Sequence, residues 1–147
     1  MRKIYVVLLF TIPVWIFGQS LNDQFLTKIN DLRSHGCYCG DPVGRLTFNS
    51  LLRESAFAYA KEMAQNGYFS HTDRSGGNVA RRVDATGYRW LSVGENLAIN
   101  QDNIAEVFED WLNSPEHCWM MMDGRFLEMG LARYENTWVL HMGRPEE

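Results

Sequence analysis

The spacing of apolar residues changes along this chain, from a helical period in the first three quarters to alternation near the C-terminus. Three stretches repeat apolar residues every three or four positions, which predicts amphipathic helices at 21–32, 52–63 and 104–112. A short basic helix is predicted at 79–86 and a strand or extended turn at 93–98. Residues 127–131 and 138–142 alternate around Asn136, which predicts an antiparallel hairpin. The predicted order is therefore helices first and strands late.

The first 18 residues have the layout of a secretory signal peptide. Arg2 and Lys3 precede an almost unbroken apolar run of 14 residues at 4–17, and small Gly18 follows it. The run is shorter than the roughly 20 residues that a membrane-spanning helix needs. We expect cleavage after Gly18, leaving a secreted or periplasmic domain at 19–147. An uncleaved N-terminal anchor is the alternative.

The length suits one domain and leaves no room for a second full core. Removing residues 1–18 leaves 12 basic against 18 acidic residues, a net charge of −6. This balance argues against nucleic acid or anionic lipid as a partner held by bulk charge. No second long apolar run follows the leader, so we predict no transmembrane segment in the mature domain, which we expect to be a monomer.

The three cysteines allow two interpretations. A secreted protein meets an oxidising environment, which favours a disulfide. Cys37 and Cys39 are too close to pair comfortably, so the bridge would join one of them to Cys118 and leave one thiol. A zinc site built from the three cysteines and a histidine is the competing interpretation, although the spacing Cys-Tyr-Cys is not typical of zinc sites.

Several polar residues stand among apolar neighbours. Glu95 lies in the predicted strand, and a carboxylate buried there needs a partner. The imidazoles of His71 and His117 could donate to it or share a metal with it. The alternative is that the three have separate surface or capping roles. His141 alternates with apolar residues as a core or sheet-face residue, and Asp73 either orients the His71 imidazole or is an ordinary loop carboxylate.

Short strings along nearly all of the mature chain resemble the CAP/SCP superfamily, which includes cysteine-rich secretory proteins, antigen 5 and plant pathogenesis-related proteins. The strings occur in the family's order, and the resemblance is to its short bacterial branch. They are Ile-Asn-Asp-Leu-Arg at 29–33, Ala-Tyr-Ala-Lys-Glu-Met-Ala at 58–64, Tyr-Phe-Ser-His at 68–71, Arg82 with Gly-Tyr at 87–88, Gly-Glu-Asn-Leu-Ala at 94–98, Trp111, Ser-Pro-Glu-His at 114–117, Met-Gly-Leu-Ala at 129–132 and Trp-Val at 138–139.

The resemblance implies an α+β fold, an α-β-α sandwich with a small antiparallel sheet between helical layers. It also implies a cleft with two histidines and two acidic residues that binds a divalent metal in some members. His71, Glu95 and His117 match three of these positions, but Ser114 stands where the second acid is common. Two histidines with a nearby Glu suit zinc with an open coordination position, and equally a weak site. We therefore expect no required cofactor and, at most, weak zinc binding.

The resemblance also favours one disulfide pairing and one function. Bacterial relatives of this type join a Cys-Gly to a His-Cys, which favours Cys39 with Cys118 over Cys37. The family implies a non-enzymatic binding module for lipid-like or cell-surface ligands. A metal-dependent hydrolase or protease using His71, Glu95 and His117 is one alternative, made less favourable by the missing acid, and a structural envelope protein is another. No nucleophile motif such as Gly-x-Ser-x-Gly is present.

Overall fold

The computed structural model describes residues 20–147, so the predicted leader lies outside the described part. The described residues form five helices and four strands: α1 (Leu21–His35), β1 (Thr47–Phe48), α2 (Ser50–Asn66), α3 (Val79–Asp84), β2 (Trp90–Ile99), α4 (Ile104–Leu112), α5 (Pro115–Met122), β3 (Glu128–Tyr134) and β4 (Thr137–Pro145). The predicted helices and the hairpin are present. The first two helices and the strands extend beyond the predicted ranges, most of all β2 beyond 93–98, and α3 ends two residues before the predicted 86.

Side-chain caps determine where the longer helices begin. The Asn49 side chain accepts from the backbone N–H of Leu51, 2.9 Å away, at the start of α2. Asn103 accepts from the Glu106 N–H at 3.1 Å at the start of α4. Such caps satisfy N–H groups that have no partner within the helix. Gly67 ends α2 in the left-handed region, with φ +66, a conformation that glycine adopts without steric cost.

The four strands form one mixed sheet in the order β1-β3-β4-β2. Strand β4 pairs antiparallel with both β2 and β3, while the two-residue β1 runs parallel to β3. In this register Glu95 of β2 lies opposite His141 of β4, which lies opposite Gly130 of β3. The centre of the sheet therefore brings a carboxylate directly beside an imidazole.

Helices cover both faces of the sheet. Alternate residues of β4 point to opposite sides, as the period of a strand requires. Leu140 and Met142 pack in a cluster with residues of α1, α4 and α5, while Val139 packs in a cluster with residues of α2. The predicted α-β-α sandwich is confirmed, but its sheet is mixed and not wholly antiparallel as expected, because the short β1 pairs parallel with β3.

Gly130 sets the approach of α2 to the sheet. A Cβ atom at this position would overlap the backbone nitrogen and Cα of Arg53 in α2. The helix therefore lies directly against β3 with no side chain between them. This contact holds α2, and Tyr59 within it, over the part of the sheet that carries Glu95.

Arg33 at the end of α1 is fully buried and holds together several loop segments. Its guanidinium donates to the carbonyls of Gly44 at 2.6 Å, Met121 at 2.7 Å, Asp123 at 3.1 Å and Phe126 at 3.2 Å. Burial lowers the pKa of Arg33 from its ordinary value, and the charge of the nearby Asp123 carboxylate opposes this shift. One cation thereby joins the loop after α1 to the C-terminal end of α5.

A disulfide joins Cys39 to Cys118, so the predicted pairing is confirmed. The bridge ties the loop after α1 to α5, and Cys37 keeps a free thiol. The competing zinc site is wrong, because two of its three sulfurs are bonded to each other. Among the described residues, no helix is both long and apolar enough to cross a membrane.

Candidate functional site

Glu95 is buried in β2, with its side chain only 3% exposed, and three side chains donate to it. His71 donates from Nδ1 to Oε1 at 2.8 Å. Arg82 donates from Nη2 to Oε2 at 2.7 Å, and His141 donates from Nε2 to the same oxygen at 2.8 Å. Both carboxylate oxygens are therefore occupied by donors from the protein.

These donors keep Glu95 ionised in a buried position. Burial alone would raise its pKa, but hydrogen bonds from His141 and His71 and the charge of Arg82 hold the pKa at about 2. Burial lowers the pKa of His141 below its usual 6.5, more than the bond to Glu95 raises it. A neutral His141 imidazole then donates from Nε2, and its buried Nδ1 has no hydrogen-bond partner among the described residues.

Arg82 of α3 connects the carboxylate to the loop that carries His71. Its guanidinium lies 3.5 Å from the centre of the Tyr59 ring, a stacked cation–π contact. It also donates to the carbonyls of His71 at 3.0 Å and Gly77 at 3.2 Å. The same cation thus balances the Glu95 charge and fixes the backbone at His71.

Asp73 does not orient the His71 imidazole. Its carboxylate accepts from the backbone N–H groups of Ser75 at 2.8 Å and Gly77 at 2.9 Å, and Arg82 Nη1 lies 3.8 Å away. Glu95 makes the contact with the imidazole instead. Asp73 therefore closes its own loop, as Asp residues commonly do at turns.

The two cleft histidines have opposite electrostatic environments. The hydrogen bond to Glu95 raises the pKa of His71, whose side chain is 61% exposed. Burial and the neighbouring His71 lower the pKa of His117. At a pH near 7, His71 is therefore the more readily protonated of the two.

Ser114 stands where the resemblance implies an acid, and it contacts His117. Its hydroxyl lies 2.9 Å from His117 Nδ1 and makes no capping bond to α5, although it is the residue that precedes the helix. Asn96 Nδ2 donates to the His117 carbonyl at 3.0 Å, which fixes the start of α5 beside β2. The hydroxyl orients the imidazole without adding a charge.

The structure brings His71 and Glu95 into direct contact and places His117 on the same cleft. His117 is not among the donors to Glu95, whereas His141 and Arg82 are. The cleft has a volume of about 360 Å³. It is lined by polar and apolar residues from four segments: His71, Thr72, Asn78, Val79, Val93, Gly94, Glu95, Asn96, Glu116, His117 and Met120.

The cleft offers a divalent metal two ligands at most, the imidazoles of His71 and His117. Within residues 20–147, the only three side chains whose ligand atoms all lie within 4.8 Å of one another are Cys37, Cys39 and Cys118. Glu95 already accepts three hydrogen bonds, and among the residues that line the cleft the free ring nitrogens are Nε2 of His71 and Nε2 of His117. Glu95 would then lie behind His71, and a carboxylate hydrogen-bonded to a ligating histidine is a common arrangement at zinc.

A family comparison decides the classification of the chain. The family described as CAP: Cysteine-rich secretory protein family matches residues 26–141. The chain belongs to the CAP family. The match includes every element from α1 to the middle of β4, and with them all the cleft residues.

A curated bacterial protein is similar to most of this chain. The CAP domain is 27% identical over 110 residues to the uncharacterized membrane protein YlbC of Bacillus subtilis, covering 74% of this chain and 30% of YlbC. It therefore spans less than a third of that curated relative's length.

Solved structures share the fold at lower identity. An extracellular SCP-domain protein of Bacillus anthracis matches with a TM-score of 0.76 and 23% identity, over 82% of this chain and 39% of the other. An outer surface protein of Borrelia burgdorferi matches with a TM-score of 0.72 and 21% identity, over 84% of this chain and 91% of the other. A cysteine-rich secretory protein of Staphylococcus aureus matches with a TM-score of 0.68 and 16% identity, over 82% of this chain and 37% of the other. These likenesses support the fold, and the named proteins are of extracellular or surface type.

Proposed function

We propose that this CAP domain is a secreted or periplasmic, non-enzymatic binding module whose His71–Glu95–His117 cleft holds a lipid-like or cell-surface ligand. The observation that carries the proposal is the occupation of Glu95 by three side-chain donors. A general base needs a lone pair aimed at the proton that it takes and a pKa near the working pH. Glu95 has a pKa of about 2 and both oxygens engaged, so it serves as a fixed charge.

The walls of the cleft suit an amphiphile. The imidazoles of His71 and His117 offer polar contacts, and the charges of Arg82 and of a protonated His71 together exceed the single charge of Glu95, which favours an anionic group beside His71. Val79, Val93 and Met120 supply apolar contacts on the same cleft. A volume of about 360 Å³ lies at the lower end of the range for small-molecule sites. It accommodates a head group with a few carbons, and a longer chain would extend outside.

The hydrolase alternative requires groups that the cleft holds in other contacts. A bound zinc would be held by the imidazoles of His71 and His117 and would supply a polarised water. The usual partner of such a water is a free carboxylate, and Glu95 is bound to Arg82. We therefore favour binding over hydrolysis. A purely structural envelope role is distinguished by the absence of any ligand binding.

Calorimetry with decanoate, decanol and acetate tests the proposal. We expect decanoate to bind more tightly than uncharged decanol or short acetate, because the ligand needs both an anionic group and an apolar chain. Thr72→Trp places an indole at an exposed position of the cleft wall and should weaken decanoate binding at least tenfold. Thr27→Trp, an exposed position on α1, is the matched control and should bind as the parent does.

Two results would contradict the proposal. The first is a parent protein that binds none of the three probes. The second is equal decanoate affinity in Thr72→Trp and the parent, with both proteins folded by circular dichroism, which would place the ligand outside the cleft.

A further inference from the structure

A free thiol lies beside both sulfurs of the disulfide. Cys37 Sγ is 3.2 Å from Cys39 Sγ and 3.6 Å from Cys118 Sγ. Cys37 and Cys39 are half-buried, whereas Cys118 is fully buried in α5. The three sulfurs form one cluster, called the sulfur cluster below, which lies outside the residues that line the cleft.

A tight turn holds Cys37 in this place. Cys37 and Gly40 exchange two backbone hydrogen bonds, of 2.9 and 3.2 Å, so the intervening residues cannot straighten. Tyr38 between the cysteines points outward, and its hydroxyl donates to the Leu112 carbonyl at 2.8 Å. Gly40 packs against Met122, where an added Cβ would lie 3.1 Å from the Met122 Cβ. The turn is therefore fixed against α4 and α5, which keeps the thiol at the bridge.

We propose that the sulfur cluster is a thiol–disulfide exchange centre, in which the link to α5 alternates between Cys39–Cys118 and Cys37–Cys118. The Cys37 thiolate attacks Cys118 Sγ, so the Cys37–Cys118 bond forms as the Cys39–Cys118 bond breaks. The electron pair leaves on Cys39, which takes up the proton that Cys37 lost. The step is redox-neutral and needs no external oxidant, as thiol–disulfide exchange in general does not.

Chain entropy does not favour one link over the other. The two bridges close loops with sequence separations of 79 and 81 residues, and the cost of closure varies only slowly with loop length. Local geometry in the turn therefore sets the balance. Cys37 Sγ is almost equally far from the two bonded sulfurs, so it lies beside the bond. Rotation of the Cys37 side chain must bring it into line before attack.

Cys118 is the sulfur that the turn allows Cys37 to attack. Attack on Cys39 would close a small ring across Tyr38, break the backbone hydrogen bonds between Cys37 and Gly40 and release α5. Attack on Cys118 keeps the turn and the tether. The free thiol then moves between positions 37 and 39, both half-buried, where a low-molecular-weight thiol or disulfide can meet it.

Time-resolved thiol mapping tests the exchange. The folded protein, purified at pH 6, is brought to pH 8, treated with N-ethylmaleimide after increasing times and digested without reduction. Chymotrypsin cuts after Tyr38 and separates the two candidate thiols. We expect label on Cys37 at first and then increasingly on Cys39, with a Cys37–Cys118 peptide rising in proportion. Label confined to Cys37 at every time would overturn the proposal.

Two variants separate exchange from mispairing. Cys37→Ser removes the attacking thiol and should show a constant Cys39–Cys118 peptide and no label. Cys39→Ser should form the Cys37–Cys118 bridge and melt close to the parent. A folded Cys39→Ser protein with two free thiols would overturn the proposal. If Cys39→Ser fails to fold, the time course on the parent still decides.

Discussion

Replacing Glu95 with Gln removes one negative charge and nearly preserves the shape of the side chain. The change leaves Arg82, whose side chain is only 9% exposed, without its closest counter-charge. It also places an amide where the carboxylate accepts from His71 and His141. The cost should therefore appear as lost stability of the folded state, and it should depend on pH.

The pKa of Glu95 gives the magnitude. The folded value of about 2 compares with an ordinary 4.5, which corresponds to about 3 kcal/mol of native-state stabilisation at neutral pH. Because the folded pKa is below the unfolded one, this stabilisation is complete above about pH 4.5 and is lost as the pH falls toward 2. Removing one member of a buried ion pair costs a comparable ~3–5 kcal/mol.

Urea unfolding followed by tryptophan fluorescence measures this difference. We expect Glu95→Gln to unfold with about 3 kcal/mol less free energy than the parent at pH 7, and with less than about half that difference at pH 3. Carboxylates common to both proteins largely cancel in the comparison. Glu116→Gln, at an exposed position of the same cleft, is the control and should change stability by less than about 0.5 kcal/mol. A Glu95→Gln difference that stays constant from pH 7 to pH 3 would refute the reasoning.

Two further predictions concern the packing of α2 and the metal capacity of the cleft. Gly130→Ala should destabilise the fold by several kcal/mol in urea unfolding, because the added Cβ would meet the backbone of α2. Gly44→Ala is the control and should be tolerated, because a Cβ there has open space. Equal stability of the two variants would contradict the close packing of α2 on β3. Zinc calorimetry should show weak binding that a chelator reverses. The affinity should fall as the pH falls, and the decline should begin above about pH 6.5 because the raised pKa of His71 lets it protonate earlier than an ordinary histidine. His117→Ala should weaken zinc binding and His35→Ala, an exposed position on α1, should not; identical titrations would exclude His117.

The helices and the hairpin were predictable because their apolar residues follow the period of the element. The two-residue β1 was not, because Thr47–Phe48 is exposed and its partner strand β3 lies about 80 residues away. The strand β2 is longer than predicted at both ends. Its additional residues carry no alternating pattern; Trp90 and Ser92 are held by pairing with Pro145 and Arg144 of β4, and exposed Leu91 lies at the register shift between them.

The candidate site was predictable only in part, because its contacts depend on packing between distant elements. Glu95 stood out as a carboxylate among apolar residues, and its contact with His71 agrees with that expectation. Its partner His141 is fixed by the register of β4 against β2, which the sequence does not display. Arg82 joins it through the packing of α3, and an arginine on a short basic helix gives no sign of burial.

The four carbonyls held by Arg33 have a consequence for how this chain can vary in length. They belong to the loop before β1, the last residues of α5 and the connection to β3. An inserted residue in any of these segments would move a carbonyl away from a cation that has no solvent to replace it. Insertions, epitope tags and domain fusions should therefore be excluded from residues 40–46 and 121–127, although most of these residues lie outside the helices and strands.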